Sequence, residues 1–587
     1  MIQKVRKNPW FPVAAASCAA GYVYYLIQGW WLTDSRLLNT LYAAHIFGLL
    51  ILFLYYLYYR YIDPDIGKTV FQRRFYLVVS AFLVAGALAV WGFNESDSVR
   101  ELLKAIVLFP FARAYLNTGT ITAMPMRIFL LTYLIGPVLG LLFVGIDIRT
   151  GFFSQNGRVG KLLSGGYVLF VVSILALVFS TNILQAEPGT GTRLFKAGTE
   201  SLVLDRLRND TSFLEDLKTF GGFLYKRTRS GNLEIYFSRT GFYGSLLKLF
   251  QDVTKARISD FLSSARITLA ALLAVVFGLL AQWIRSRKGL LASIVFLLPV
   301  PFTYWIAAPA KDLIWFYFLF FLPFLVSLLV YPRVQDKKTS FKRFCLYVFL
   351  AFIFNFLHGY EFIASQILSA AVPVFYYEFA QRSSFRSILR RCFLVCLTGM
   401  AAFSVVFTLH IAQLSLHRHS IRKGLDFIWT RAGYRIVEDS VTYGEIIRGY
   451  VKIPVFYCSE EQFRPDSVLI DAEEISPSLP WWNTMGVYHL VFLALLAIVS
   501  LVYAFRRNKS SGDNNLADTF NIGLTGVVAM FSSWTWFAAK QAMSTHYHQN
   551  GIMFMVPFGI VFYLFLGFAA HTLIEFLMQS GKSSAKV

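Results

Sequence analysis

Charge is what this 587-residue sequence has least of: only 15% of its residues are Asp, Glu, Lys or Arg, against about 25% in an ordinary soluble domain. Acid is scarcer than base, with 33 Asp and Glu against 55 Lys and Arg, for a net charge of +22. Cysteine is scarce too. Of the five, Cys18, Cys345, Cys392 and Cys396 lie in apolar segments and Cys458 in a long polar one, so no disulfide framework or thiolate metal motif follows. No repeat of about 20 to 50 residues is visible, which argues against a solenoid or propeller. The opening MIQKVRKNPW is followed by Gly-, Tyr- and Trp-rich sequence and not by a clear small-residue cleavage site, so it is expected to lead into a retained first span.

What is abundant is apolar sequence: 56% of the residues are hydrophobic and 17% aromatic. Nearly uncharged windows of the roughly 20 residues needed to cross a bilayer as a helix recur along the chain. They fall near 11–30, 40–58, 75–93, 128–147, 162–184, 267–284, 290–308, 313–331, 345–358, 362–377, 392–412, 485–505, 519–539 and 551–575. A soluble enzyme with a single anchor is excluded. The expected fold is an all-α polytopic bundle of about 14 spans, with the segment 101–117, which holds Lys104, Pro110 and Arg113, lying in the interface.

A net charge of +22 would suggest nucleic acid in a soluble protein, but in a membrane protein topology is the first explanation. With 101–117 not crossing, one side receives residues 1–10, 59–74, 147–161, 285–289, 332–344, 378–391, 506–518 and 576–587. These hold 27 basic and 7 acidic residues, and the remainder of the chain holds 28 and 26. Nearly the whole excess is therefore an orientation signal, which predicts cytoplasmic termini and no nucleic-acid partner. The two long loops, 185–266 and 413–484, then fall on the outer face. Their apolar spacing, such as Leu202, Leu204 and Leu207, predicts two small helical caps.

An ionisable group in hydrocarbon costs at least about 2.5 kcal/mol, so clusters of such groups at span ends are informative. Four short polar stretches share the outer face. They are Lys311–Asp312, His358 with Glu361, the run from Lys540 to Asn550 containing His546 and His548, and Tyr236–Gly244 containing Arg239. A guanidinium next to glycine can take phosphate oxygens bidentately while the backbone approaches closely. Two histidines flanking Tyr547 suit phosphate better than metal, because an isolated HxH is a weak metal motif. The first long loop supplies carboxylates, among them Glu187, Glu200, Asp205 and Asp210, any one of which can serve as a general base. Each stretch also has an ordinary reading as a solvated turn or loop.

This layout resembles the C-type superfamily of membrane glycosyltransferases. The resemblance rests on TESLVLDRLRND (199–210), YFSRTGFYG (236–244), APAKDLIWFYFLFFLP (308–323), HGYEFIASQIL (358–368) and WFAAKQAMSTHYHQNGI (536–552), without a diagnostic WWDYG motif. It implies transfer of a sugar from a polyprenyl-phosphate carrier to a glycan, lipid or protein acceptor on the extracytoplasmic face of a bacterial inner membrane. It also implies Glu200 or Asp205 as the catalytic acid; Arg239, Lys540, His546 and His548 on the donor phosphate; and Lys311, Asp312, His358 and Glu361 toward the substrate. No cofactor is specified, and a divalent metal ion stays open. The chain then divides into a membrane module over 1–160, a glycosyltransferase-like core over 161–575 and a cytoplasmic tail over 576–587. The rivals are an enzyme similar to O-antigen ligases or polymerases, and a lipid-linked sugar transporter, which would show interrupted helices and polar groups near the midplane.

Overall fold

The computed structural model describes residues 158–181, 200–208, 224–227, 233–236, 240–255, 257–359, 362–433, 443–456, 483–506, 514–535 and 550–584. The spans expected at 11–30, 40–58, 75–93 and 128–147, and the interfacial segment 101–117, lie outside the described residues.

The described chain is a bundle of long apolar helices. In order they are α1 (Arg158–Thr181), α2 (Glu200–Arg208), α3 (Phe242–Thr254), α4 (Ile258–Leu297), α5 (Tyr304–Ala307), α6 (Phe318–Gln335), α7 (Phe341–His358) and α8 (Ile363–Ala380). Then follow α9 (Phe385–Arg418), α10 (Ile421–Gly433), α11 (Tyr443–Lys452), α12 (Met485–Arg506), α13 (Asn514–Trp534), α14 (Asn550–Phe554) and α15 (Ile560–Ser584). Among the described residues, six helical stretches are long and apolar enough to cross a membrane. The first long loop contributes a two-stranded antiparallel hairpin, β1 (Leu224–Arg227) with β2 (Leu233–Tyr236), where helix alone was expected. The last helix continues to Ser584, through most of the segment assigned as a tail.

The long helix α4 is a helical hairpin. Gly289, at φ 83° and ψ 179°, breaks the helical backbone, and the Ser293 hydroxyl donates to the Ala281 carbonyl at 2.6 Å. Twelve residues along a straight helix would separate those groups by about 18 Å, so the chain reverses between them. The turn coincides with the short basic segment 285–289 that charge sorting places between two spans. α15 packs into the reversal at Gly567, where a Cβ would lie 2.3 Å from the Ala292 carbonyl oxygen and 2.7 Å from Ile284 Cδ1.

Among the described residues, those of the segments 285–289, 332–344, 378–391 and 506–518 lie at one end of the bundle. Lys288, 2% exposed, donates to the Asn515 carbonyl at 2.8 Å and lies 3.5 Å from the Asp518 carboxylate. Arg287 reaches the Tyr376 hydroxyl at 3.2 Å, which in turn donates to Asp518 at 2.5 Å. The Tyr331 hydroxyl donates to Glu378 at 2.6 Å, and Arg391 donates to Tyr331 at 2.9 Å. Such groups are tolerated in a buried setting because each charge has a hydrogen-bonded counterpart.

Toward the opposite end the regular helix fails twice. After Leu297 the chain passes Pro299, Pro301 and Pro309 as short 3-10 and α turns up to Lys311, because proline removes an N–H and clashes with the preceding turn. Between α14 and α15 the chain winds as a π turn over Met555–Gly559. Irregular backbone at membrane depth needs partners from the protein, and here it has them. Tyr304 N–H donates to the Val455 carbonyl at 3.1 Å, the Trp305 indole N–H donates to Pro454 O at 2.6 Å, and the Thr303 and Tyr563 hydroxyls pair at 2.7 Å.

Because the atom that a new methyl at position 567 would strike is backbone, Gly567→Ala is expected to destabilise the protein by about 1–3 kcal/mol. A thermal melt of the purified variant in detergent checks this, and an unchanged Tm would contradict the packing described.

Candidate functional site

At the end of the bundle away from the basic network, four chain segments that are far apart in sequence enclose a small cleft. Its cavity volume is about 20 Å³, room for about one water molecule, and its lining includes Val203, Gly241, Tyr243, Phe316 and His358. Each segment is held there by a specific local device.

The first device is the turn after Lys311. Asp312 is 3% exposed, and its Oδ1 accepts from the N–H groups of Ile314 at 2.8 Å and Trp315 at 3.2 Å. A carboxylate bonding the backbone two and three residues ahead is a standard way to close such a turn. Asp312 is therefore built into the fold, unlike a solvated turn residue. The turn leaves Phe316 at φ 40°, a conformation that costs a bulky L-residue about 1–3 kcal/mol. Its ring packs 4.5 Å from that of Tyr243.

The second is the end of α7. His358, 5% exposed, sits on its last turn, and its Nε2 meets the Ile314 carbonyl. A carbonyl only accepts, so Nε2 carries the proton in that contact. Aromatic rings enclose the imidazole, with Trp315 at 6.0 Å, Phe320 edge-on at 5.4 Å and Tyr243 at 6.4 Å between centroids.

The third is Thr240–Tyr243. The Thr240 hydroxyl donates to Leu357 O at 2.6 Å, and the Tyr243 hydroxyl donates to Phe354 O at 2.8 Å, so two side chains cover carbonyls at the end of α7. Gly241, at φ 68°, supplies the left-handed residue that starts α3. From α9, Gln413 Nε2 donates to the Thr240 carbonyl at 3.4 Å. Burial pushes the Tyr243 phenol well above its ordinary pKa, which keeps it a donor.

The fourth is α2, which packs against α3, where Lys248 Nζ donates to Leu207 O at 3.3 Å. Val203 faces the cleft. Asp205 is buried at 5% exposure on the same short helix, two residues farther on, and is outside the cleft lining.

The residues selected from sequence thus divide as follows. His358 lines the cleft, Asp312 shapes it, and Lys311 is half-buried at the entry to the same turn. Asp205 is not among the lining residues. Arg239, Glu361, Lys540, His546 and His548 lie outside the described residues, as does the side chain of Glu200. The polar run from Lys540 is flanked by described residues at this end: the Thr535 and Ser365 hydroxyls are 3.4 Å apart, and a Cβ on Gly551 would lie 1.9 Å from Trp305 Cδ2. Thr240, Tyr243 and Phe316 were not singled out individually, although each belongs to a patch that was. His489 is a core histidine, with Nδ1 2.7 Å from Met485 O and the ring stacked on Phe558 at 4.4 Å. Among the described residues no group of three or more His, Cys, Asp or Glu side chains converges as a metal site.

No protein-family model, curated protein or solved structure matches the chain.

Removing the Asp312 carboxylate is expected to cost about 1–2 kcal/mol of stability in Asp312→Ala, and less in Asp312→Asn, which keeps the accepting oxygen. Equal, wild-type melting of both variants would show that the turn does not depend on this side chain.

Proposed function

We propose that the protein is an integral membrane glycosyltransferase that moves a sugar from a polyprenyl-phosphate carrier to a glycan, lipid or protein acceptor on the extracytoplasmic face. The observation that carries this reading is that described residues of patches 199–210, 236–244, 308–323 and 358–368, namely Val203, Gly241, Leu313 and His358 with their neighbours, line one cleft at the end of the bundle opposite the basic network. The full reading has about 14 spans, helical caps on the outer loops, both termini in the cytoplasm and a bacterial inner membrane as its location.

The chemistry asks for a carboxylate on one side of the reacting carbon and cations on the other, because the transition state has oxocarbenium character and a departing phosphate. The acceptor oxygen attacks the anomeric carbon while the bond to the phosphate oxygen breaks. The acceptor proton passes to Glu200 or Asp205, and polyprenyl phosphate leaves. Inversion at the anomeric carbon follows from a single displacement. Arg239, Lys540, His546 and His548 take the phosphate in this scheme, and His358, Lys311 and Glu361 the substrate. Asp312 acts through the turn it closes. The carrier's tail runs between apolar helices. A divalent ion on the phosphate is compatible with the scheme and is not required by it.

A specific observation supports transport of a lipid-linked sugar as a second reading. Two interrupted segments, after Leu297 and over Met555–Gly559, lie in the interior with the Thr303–Tyr563 hydroxyl pair, and interrupted helices are a feature of transporters.

The test uses the full chain in proteoliposomes with a panel of polyprenyl-phosphate hexoses and pentoses. Release of polyprenyl phosphate is expected, with a loss of about 10²–10⁴-fold in Glu200→Ala or Asp205→Ala. Full activity in both variants would rule out the loop-acid mechanism. Donor movement across the bilayer without release would favour transport.

A further inference from the structure

Among the six candidate spans of the described residues, α9 is the least buried: 22% of its apolar window lies inside the protein, against 39% or more in the others. Between Arg391 and His417 it carries no Asp, Glu, Lys or Arg, and its outer side leaves Leu397 52% and Val405 53% exposed. In a membrane-spanning helix this side faces acyl chains. From Arg391 to Ser415 the helix rises about 36 Å. That exceeds a hydrocarbon core of about 30 Å and falls within the roughly 40–45 Å that includes the headgroups. With Arg391 at one surface, Ser415 stands at the headgroup level of the other.

There the chain turns back. His419, at φ 53°, ends α9, and the Ser420 hydroxyl accepts from Lys423 N–H at 3.4 Å in the first turn of α10. A Cβ on Gly424 would lie 3.0 Å from Ser415 Oγ, and the Arg418 guanidinium lies 5.3 Å over the Phe427 ring. Ser404 and Leu397, about three and five helical turns from Ser415 and on the same side of α9, are exposed. So α10 overhangs the flank of α9 that faces lipid farther along.

Around α10 three kinds of surface follow one another. Gly424 and Phe427 turn to α9. Ile421, Leu425 and Trp429, spaced four residues apart on one face, are 67%, 43% and 82% exposed. The next face carries Arg422, Asp426 and Thr430, with Lys423 beyond, all exposed. An open apolar row bordered by a cationic polar one marks a helix lying in a membrane interface, a depth that tryptophan prefers.

We propose that α10 is an interfacial helix that docks on the phospholipid surface at the cleft end, with Ile421, Leu425 and Trp429 in the acyl-chain boundary and Arg422 and Lys423 among the phosphates. The stretch after α9 is then held by the membrane, where the sequence suggested a solvated loop. It is also tied to the cleft: Gly424 rests on Leu414, and the neighbouring Gln413 donates to the Thr240 carbonyl. The proposal needs α9 to span the bilayer and does not rest on the glycosyltransferase reading.

The experiment places a nitroxide on single cysteines in the full chain with its five native cysteines replaced, using Ile421→Cys, Leu425→Cys and Trp429→Cys on the apolar row and Arg422→Cys and Thr430→Cys on the polar row. In phosphatidylcholine–phosphatidylglycerol liposomes, electron paramagnetic resonance compares collisions with oxygen, which concentrates among acyl chains, and with nickel ethylenediaminediacetate, which stays in water and is supplied on both sides. The oxygen-to-nickel ratio is expected to be several-fold higher at the apolar positions than at the polar ones. Equal ratios on the two rows put the helix in water and overturn the proposal. Low collision rates with both reagents at the apolar positions show a covering of protein, from another segment or a second copy, and overturn it too. The five side chains are exposed, and should one variant fail to fold, the remaining positions of its row report the same face.

Discussion

The cleft end of the molecule is organised by Trp305. Its ring is fully buried against Gly551, at a distance that leaves no room for a Cβ, and its indole N–H is bonded to the Pro454 carbonyl. One side chain therefore holds together a broken span, the returning edge of the second long loop and the start of the last helices. Thr303 and Tyr304 extend the same junction through Phe456, Val455 and Tyr563. A chain interrupted inside a membrane must find partners for the backbone groups that a helix would have satisfied. This junction provides them, and the turn at Asp312 follows from it a few residues later.

The two ends of the bundle are stabilised in different ways. At the basic end, Lys288, Asp518, Glu378 and Arg391 are locked by paired hydrogen bonds, and the surrounding exposed cations remain at the rim. At the cleft end, side-chain hydroxyls and an amide satisfy or hold backbone carbonyls, and aromatic rings surround His358. The first arrangement suits anchoring. The second leaves a small, partly open cavity beside a strained Phe316 and a half-buried Lys311.

Much of this was legible in the sequence. Apolar windows placed helices along the chain from residue 162 onward, and charge sorting anticipated the reversal at Gly289, because Arg285, Arg287 and Lys288 marked it as a turn. The patches around Asp312, Thr240 and His358 were visible as polar interruptions of apolar runs, which is a local property. Their convergence was not legible, since nothing in YFSRTGFYG indicates that its threonine reaches Leu357 or its last tyrosine reaches Phe354. Nor could composition separate the two duties of a carboxylate: Asp312 looked like a ligand-facing residue and is occupied by Ile314 and Trp315 N–H groups. The β1–β2 hairpin was missed because the long loop was read for helical spacing, although Ser230–Gly231–Asn232 carries a turn signal between its strands.

The proposed orientation puts the two ends of the bundle on opposite sides of the membrane, with the cleft outside. Single cysteines at Lys255, which follows α3, and at Lys338, beside the basic end, test it in a background where the five native cysteines are replaced. Both positions are exposed. A membrane-impermeant thiol reagent applied to intact cells should label Lys255→Cys at once and Lys338→Cys only after permeabilisation; the reverse pattern would contradict the orientation and the outer-face site built on it.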